Sequence, residues 1–257
     1  MTGSRPLHGI GTAIAVEARK AVASRALQGI TAFLVVGIVV LAVGAAAGAA
    51  SGDERLAAKL GPLAGAGGWN GLVGVVAQVE SAAALLGFGV ALSWLVGREF
   101  ADGTVAGLFA LPIRRSTIAV AKLVVYFAWA ATVAVLLTGA VAVAGLALGH
   151  GVTDAAASLL RIPPLAVLTA LIATPAAWAA TAGRGLLPGI AATVALIAVA
   201  QVLAVVGVGG AIPFVAPALW AIEPDAATGW GLALVPVTAL AFAGLCARAW
   251  SRLQLDR

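Results

Sequence analysis

The stretch Gly97 to Lys122 reads GREFADGTVAGLFALPIRRSTIAVAK and lies between two long apolar runs. Arg98, Arg114, Arg115 and Lys122 supply four cations, with Glu99 and Asp102 beside them. Such residues can make charge-assisted contacts to a protein surface. A second group sits inside apolar runs: Gln78 and Glu80 in one, Gln201 in another. A carboxylate within a membrane-length run is costly and functional by default. Two readings of Glu80 stay open. With Gln78 and Gln201 it lines a pathway, binds a cationic group or gates an exit. Alternatively it pairs structurally with a basic residue of the outer hairpin described below.

Other chemistry is missing. No GxxxxGK[ST] loop is present, and Lys20, Lys59 and Lys122 all lack glycine-rich phosphate cradles, so the chain is not expected to hydrolyse ATP itself. There is no HExxH and no cysteine cluster for zinc. His8 and His150 lie outside the apolar runs, where a Ser-His intramembrane protease could not use them. The apolar runs hold no aspartate, which disfavours a prenyltransferase using paired aspartates and magnesium. The single Cys246 is expected to be a packing residue. No metal and no cofactor are expected on this chain.

The elements that position these residues follow from composition. The 257 residues are 62% hydrophobic and 10% charged, against about 25% charged in soluble domains. Mean hydropathy is +1.10. Six apolar runs each reach the roughly 20 residues that cross a bilayer core. Backbone groups in lipid must bond internally, and the alternation of a barrel is absent, so the runs are helices. The expectation is an all-α integral membrane protein, residues 1–257 forming a single transmembrane domain.

Residues Met1 to about Gln28 form a basic lead-in. Ile10, Ile14 and Ala18 fall at helical spacing, with Glu17, Lys20 and Arg25 elsewhere on the surface. This predicts an N-terminal interfacial helix, or only a charged flank that fixes orientation. Span one is predicted over about Leu27 to Ala50, uncleaved, with Gly37, Gly44 and Gly48 near one face. Ser51 to Asn70 is an outer loop with a short helix from Asp53 to Leu60. Span two covers about Gly71 to Val96. Span three covers about Thr117 to Leu148, capped by Ser116 or Thr117. Span four covers about Ile162 to Ala182, with Pro163 and Pro164 in its first turn and a kink at Pro175. Span five covers about Leu186 to Val208. Gly209 to Gly229, broken by Pro213, Pro217 and Pro224, predicts a broken outer hairpin of short helices, with Trp220 and Trp230 as interfacial anchors. Span six covers about Trp230 to Ala247.

Basic residues set the orientation. Arg5, Arg19, Lys20, Arg25, Arg98, Arg114, Arg115, Lys122, Arg184, Arg248, Arg252 and Arg257 fall on one side; Arg55, Lys59 and Arg161 fall on the other. The first side is therefore cytoplasmic, with both termini and the polar loop, in a cell (inner or plasma) membrane. The placement of the charge argues against a nucleic-acid partner.

Within the polar loop, Glu99 to about Ala110 predicts a short amphipathic helix with Val105, Leu108 and Phe109 on one face. Pro112 restricts Leu111 to extended geometry and ends it. Physics alone leaves two surfaces for this helix, lipid or a protein groove. The run Arg98-Glu99-Phe100-Ala101-Asp102-Gly103-Thr104, with Leu108, Leu111-Pro112, Arg115 and Lys122, resembles the signature of type-2 ABC exporter permeases. The lead-in Glu17-Ala18-Arg19-Lys20 with Arg25 is similar to that family's start. Ala106-Gly107 departs from it, since relatives often carry polar or larger residues there.

The resemblance implies a coupling helix between spans two and three, through which a soluble motor pushes on the membrane part. It implies a separate nucleotide-binding ATPase subunit carrying ATP and Mg, and a second permease chain in a homodimer or related heterodimer. Arg98, Glu99, Asp102, Gly103, Thr104, Leu108, Phe109, Pro112 and Arg115 would form the ATPase-coupling surface. Glu99, Asp102 and Arg115 would make its polar contacts, and Leu108 and Phe109 would fill the ATPase groove. The cargo would be hydrophobic or amphiphilic, such as an antibiotic, drug or lipid-like compound. A secondary transporter working alone is the alternative, and a non-transporting immunity or scaffold protein is the third.

Overall fold

The computed structural model describes residues 7–110, 112–222 and 227–254. Arg5, Leu111, Pro224 and Arg257, to which the sequence reading gives roles, lie outside these. Among the described residues there is no strand, and six helices are long and apolar enough to cross a bilayer. They run Arg25–Ala50, Gly68–Ala101, Arg115–Ala147, Ala155–Ala182, Leu186–Val205 and Gly229–Arg252, here called spans one to six. A lead-in helix, Leu7–Val22, precedes them.

Span two is the central post. Of its most apolar window 61% is buried, against 11% for span five. It packs on spans one, three, four and five and on the hairpin helix Ala216–Ile222. Small residues allow these approaches. A Cβ on Gly97 would come within 2.7 Å of the Gly185 backbone, and one on Gly89 within 2.3 Å of Thr193. The glycines of span one do not work this way. Gly44 has nothing within 4 Å, Gly48 meets Leu56 of the outer loop, and Gly37 meets its own Phe33.

Several boundaries are as the sequence predicts. Asp53 caps the outer-loop helix Glu54–Leu60, accepting from the Arg55 and Leu56 amides. Span four breaks into Ile162–Ile172 and Pro175–Ala182, because the proline ring cannot donate to the ladder. Others differ. Span one begins at Arg25, capped by Ser24, and carries a π-helical turn at Phe33–Gly37. Span three begins at Arg115, with no side-chain cap from Ser116 or Thr117, which already lie inside it. Trp220 packs with Ile222 against Ala77, Leu165 and Ala221, while Trp230 is 72% exposed.

The polar loop corrects the sequence reading most. Span two continues through Arg98 and Glu99 to Ala101, so those residues do not open a separate helix. Asp102 caps it, and Gly103 takes φ +67°, a left-handed turn that glycine adopts without strain. The loop helix is only Val105–Phe109. Val105 is buried, and Leu108 and Phe109 are half-buried against the chain's own core. Ala106, Gly107 and Ala110 face outward.

Candidate functional site

At the junction of the loop with the spans lies a closed set of four charges. Lys122 Nζ sits 2.8 Å from Glu17 Oε2 and 3.0 Å from Glu99 Oε1. Lys20 Nζ sits 2.9 Å from Glu17 Oε1 and 3.0 Å from the same Glu99 oxygen. Thr104 donates its hydroxyl to Glu99 Oε2 at 2.6 Å. Glu17, Glu99 and Lys122 are buried to 3%, 4% and 1% exposure. Two carboxylates and two ammoniums cancel, so the group can be buried as a unit where a lone charge could not. Burial lowers the pKa of Lys20, but its bonds and charges from Glu17 and Glu99 outweigh that and hold it above the ordinary 10.5.

The members arrive from four segments. Glu17 and Lys20 come from the lead-in helix, Glu99 from the C-terminal end of span two, Thr104 from the loop and Lys122 from the second turn of span three. The geometry therefore clamps the lead-in helix, both flanking spans and the loop to one point. Neighbouring contacts extend the clamp. Arg115 stacks 3.9 Å over the Phe109 ring and donates to the Leu253 carbonyl of the C-terminal tail. Arg98 lies over Trp94 and 3.8 Å from Asp102, whose side chain is 56% exposed. Pro112 and Arg114 are exposed.

Glu17 and Lys20 were expected on the lead-in surface, and Lys122 as a cytoplasmic basic residue closing the loop motif; all three face inward or join the cluster. One signal did exist. Lys122 lies six residues into a run otherwise fit for lipid, and an unpaired cation there would cost several kcal/mol. Nothing in the sequence said that Glu17, far away along the chain, was its partner.

The second group divides. Gln78 and Gln201 line one outer pocket of about 260 Å³, with Ser81, Phe214 and Leu219. Gln78 donates to the Lys59 carbonyl at 3.0 Å, while its Oε1 is buried without a partner. Glu80 does not line this pocket. It is fully buried, and neither carboxylate oxygen has a hydrogen-bond partner. Its expected basic partner is not found: the stretch Gly209 to Gly229 contains no lysine or arginine. Cys246 is buried, with its sulfur 3.4 Å from the Thr181 hydroxyl. Among the described residues no group of side chains is disposed to hold a metal.

Six apolar helices, one of them a buried central post, with one ion-clamped polar loop, define a multi-pass membrane protein. Residues 76–201 match the family described as ABC-2 family transporter protein. The chain therefore carries an ABC-2 family transporter domain, which is consistent with a membrane permease of an ABC transporter. The match includes Gln78, Glu80, Glu99, Lys122 and Gln201, and therefore both polar groups, but stops short of Glu17 and Lys20. Permeases of this kind are transport components that work with an ATPase. A comparison with curated proteins finds no match.

Proposed function

We propose that this chain is the membrane half of an ATP-driven exporter of a hydrophobic or amphiphilic compound, pairing with a second permease chain and with a separate ATPase subunit. Its polar loop faces the cytoplasm and receives the ATPase. The observation that carries this reading is the four-charge clamp. A loop that only joined two spans would need no buried ionic anchor. A loop that must move helices does, because force applied to Val105–Phe109 passes through Thr104 and Glu99 into span two, span three and the lead-in helix at once.

The geometry supports a revised division of labour among the coupling residues. Glu99 and Thr104 hold the loop from within. Leu108, Phe109 and Arg115 fix the loop helix to its own chain. The docking face is then Ala106, Gly107 and Ala110, flanked by Arg98, Asp102, Pro112 and Arg114. Small residues there let a partner approach the helix backbone closely, in the way packed membrane helices approach at glycine and alanine. The outer pocket with Gln78 and Gln201 serves the exit side of the pathway, and Glu80 stands outside it.

Gly107→Trp tests the docking face. A Cβ at this position meets nothing within 4 Å and the position faces outward, so the isolated chain is expected to insert and fold normally. Co-purification with the partner ATPase should fall by an order of magnitude or more, as expected when bulk is forced into a close-packed interface. Unchanged co-purification would refute this placement of the partner.

A further inference from the structure

We infer that the groove between the lead-in helix and spans one and three binds an anionic phospholipid of the cytoplasmic leaflet, its acyl chain in the groove and its phosphate at Arg25 and Arg19. The groove encloses about 650 Å³, a volume of ligand-site size. Ala18, Val22, Val35, Val124, Ala128 and Leu136 are among the side chains that line it. The π-helical turn at Phe33–Gly37 supplies one wall.

Two observations fix the chemistry of the occupant. The polar groups along the groove already bond within the chain. Thr31 donates to the Leu27 carbonyl at 2.8 Å and accepts from Trp129 at 2.9 Å. Thr132 donates to the Ala128 carbonyl and Gln28 to the Val22 carbonyl, each at 2.9 Å. The walls therefore suit a methylene chain better than a compound with hydrogen-bonding groups of its own. At the mouth the charge is positive. Arg25 stands one helical turn before Gln28, on the same stripe of span one that lines the groove. Arg19 flanks Ala18 and Val22 on the lead-in helix. Both arginines are exposed, whereas Lys20 beside them is committed to the ionic clamp.

Within a bilayer an acyl chain gains little by exchanging lipid neighbours for protein ones, so selectivity must come from the headgroup. The full-length purified chain, supplied with equal phosphatidylglycerol and phosphatidylcholine in detergent, should retain phosphatidylglycerol preferentially by native mass spectrometry. Arg25→Gln should cut that preference about fivefold, the effect of one basic residue near an anionic surface. Ala128→Trp and, independently, Ala32→Trp fill the groove from positions whose side chains are exposed into it. Each should lose bound lipid of both kinds. Equal retention of the two lipids by the unaltered chain, or undiminished lipid on a folded tryptophan variant, overturns the assignment. The measurement reads static binding without ATP, ATPase or transport, so a failure here leaves the transport reading standing, and the reverse.

Discussion

Lys122 shows what one side chain can impose on its surroundings. Its side chain is 1% exposed, and among the described residues its ammonium pairs with Glu17 and Glu99. Removing one partner of a buried ionic group leaves its counter-charges uncompensated and costs about 3–5 kcal/mol. Lys122→Met leaves two carboxylates sharing the half-exposed Lys20. We expect a lower thermal unfolding midpoint for the purified chain, and partial recovery in the Glu17→Gln/Lys122→Met pair, where one excess charge is gone. Additive losses in the pair would mean that the two side chains do not act on each other. At this scale the sequence was half legible. A lysine inside an apolar run announces a partner, yet ionic pairing across the chain leaves no periodic trace. Glu99 looked like a surface acid because its motif is rich in charge. What decides its direction is the unbroken helix that carries it inward, and that depends on Gly103 turning the chain two residues beyond Ala101.

Among the elements, close approach is the variable that hydrophobic pattern does not encode. The spans themselves, the outer-loop helix at Asp53 and the break before Pro175 are written in local chemistry: length, a capping carboxylate, a missing N–H. Which glycines are contacts is not local. The GxxxG spacing of Gly44 and Gly48 pointed to span one, but the tight crossings are on span two. The contrast is testable. On Gly97→Ala the new methyl would lie 2.7 Å from the Gly185 carbonyl carbon and oxygen and 2.8 Å from the Leu186 nitrogen. Backbone cannot rotate aside as a side chain can, so the start of span five must shift. A loss of about 1–3 kcal/mol is expected, typical of overpacking. Gly44→Ala meets open space and should be neutral or slightly stabilising through helix propensity. Comparing the two thermal midpoints checks this, and a Gly44→Ala loss as large as that of Gly97→Ala would deny span two its special place. The π-helical turn in span one had no sequence signal, since a widened turn leaves the apolar composition of a span unchanged.

For the whole molecule, the arrangement of charge and the arrangement of helices make one joint statement about sidedness. Successive spans alternate in direction, so the loops after spans one and three share one end and the polar loop lies at the other. Arg55, Lys59 and Arg161 are the basic residues in or next to the first set, while Arg98, Arg114, Arg115 and Arg184 lie in or next to the second. The bias holds even with Lys122 set aside as a buried partner rather than a surface charge. A positive excess marks the cytoplasmic side, which is also where the proposed ATPase partner would sit to reach Gly107. Cysteine labelling makes the two requirements one experiment. Cys246 is fully buried and should stay silent towards a membrane-impermeant maleimide. Val152→Cys replaces a residue that is 78% exposed in the loop after span three, and should label on intact cells. Ala106→Cys, on the outward side of the loop helix, should label only after permeabilisation, and an ATPase bound in place should then protect it. Labelling of Ala106→Cys on intact cells would invert the molecule. It would put the clamp on the side without nucleotide, and no coupling role for the loop would survive.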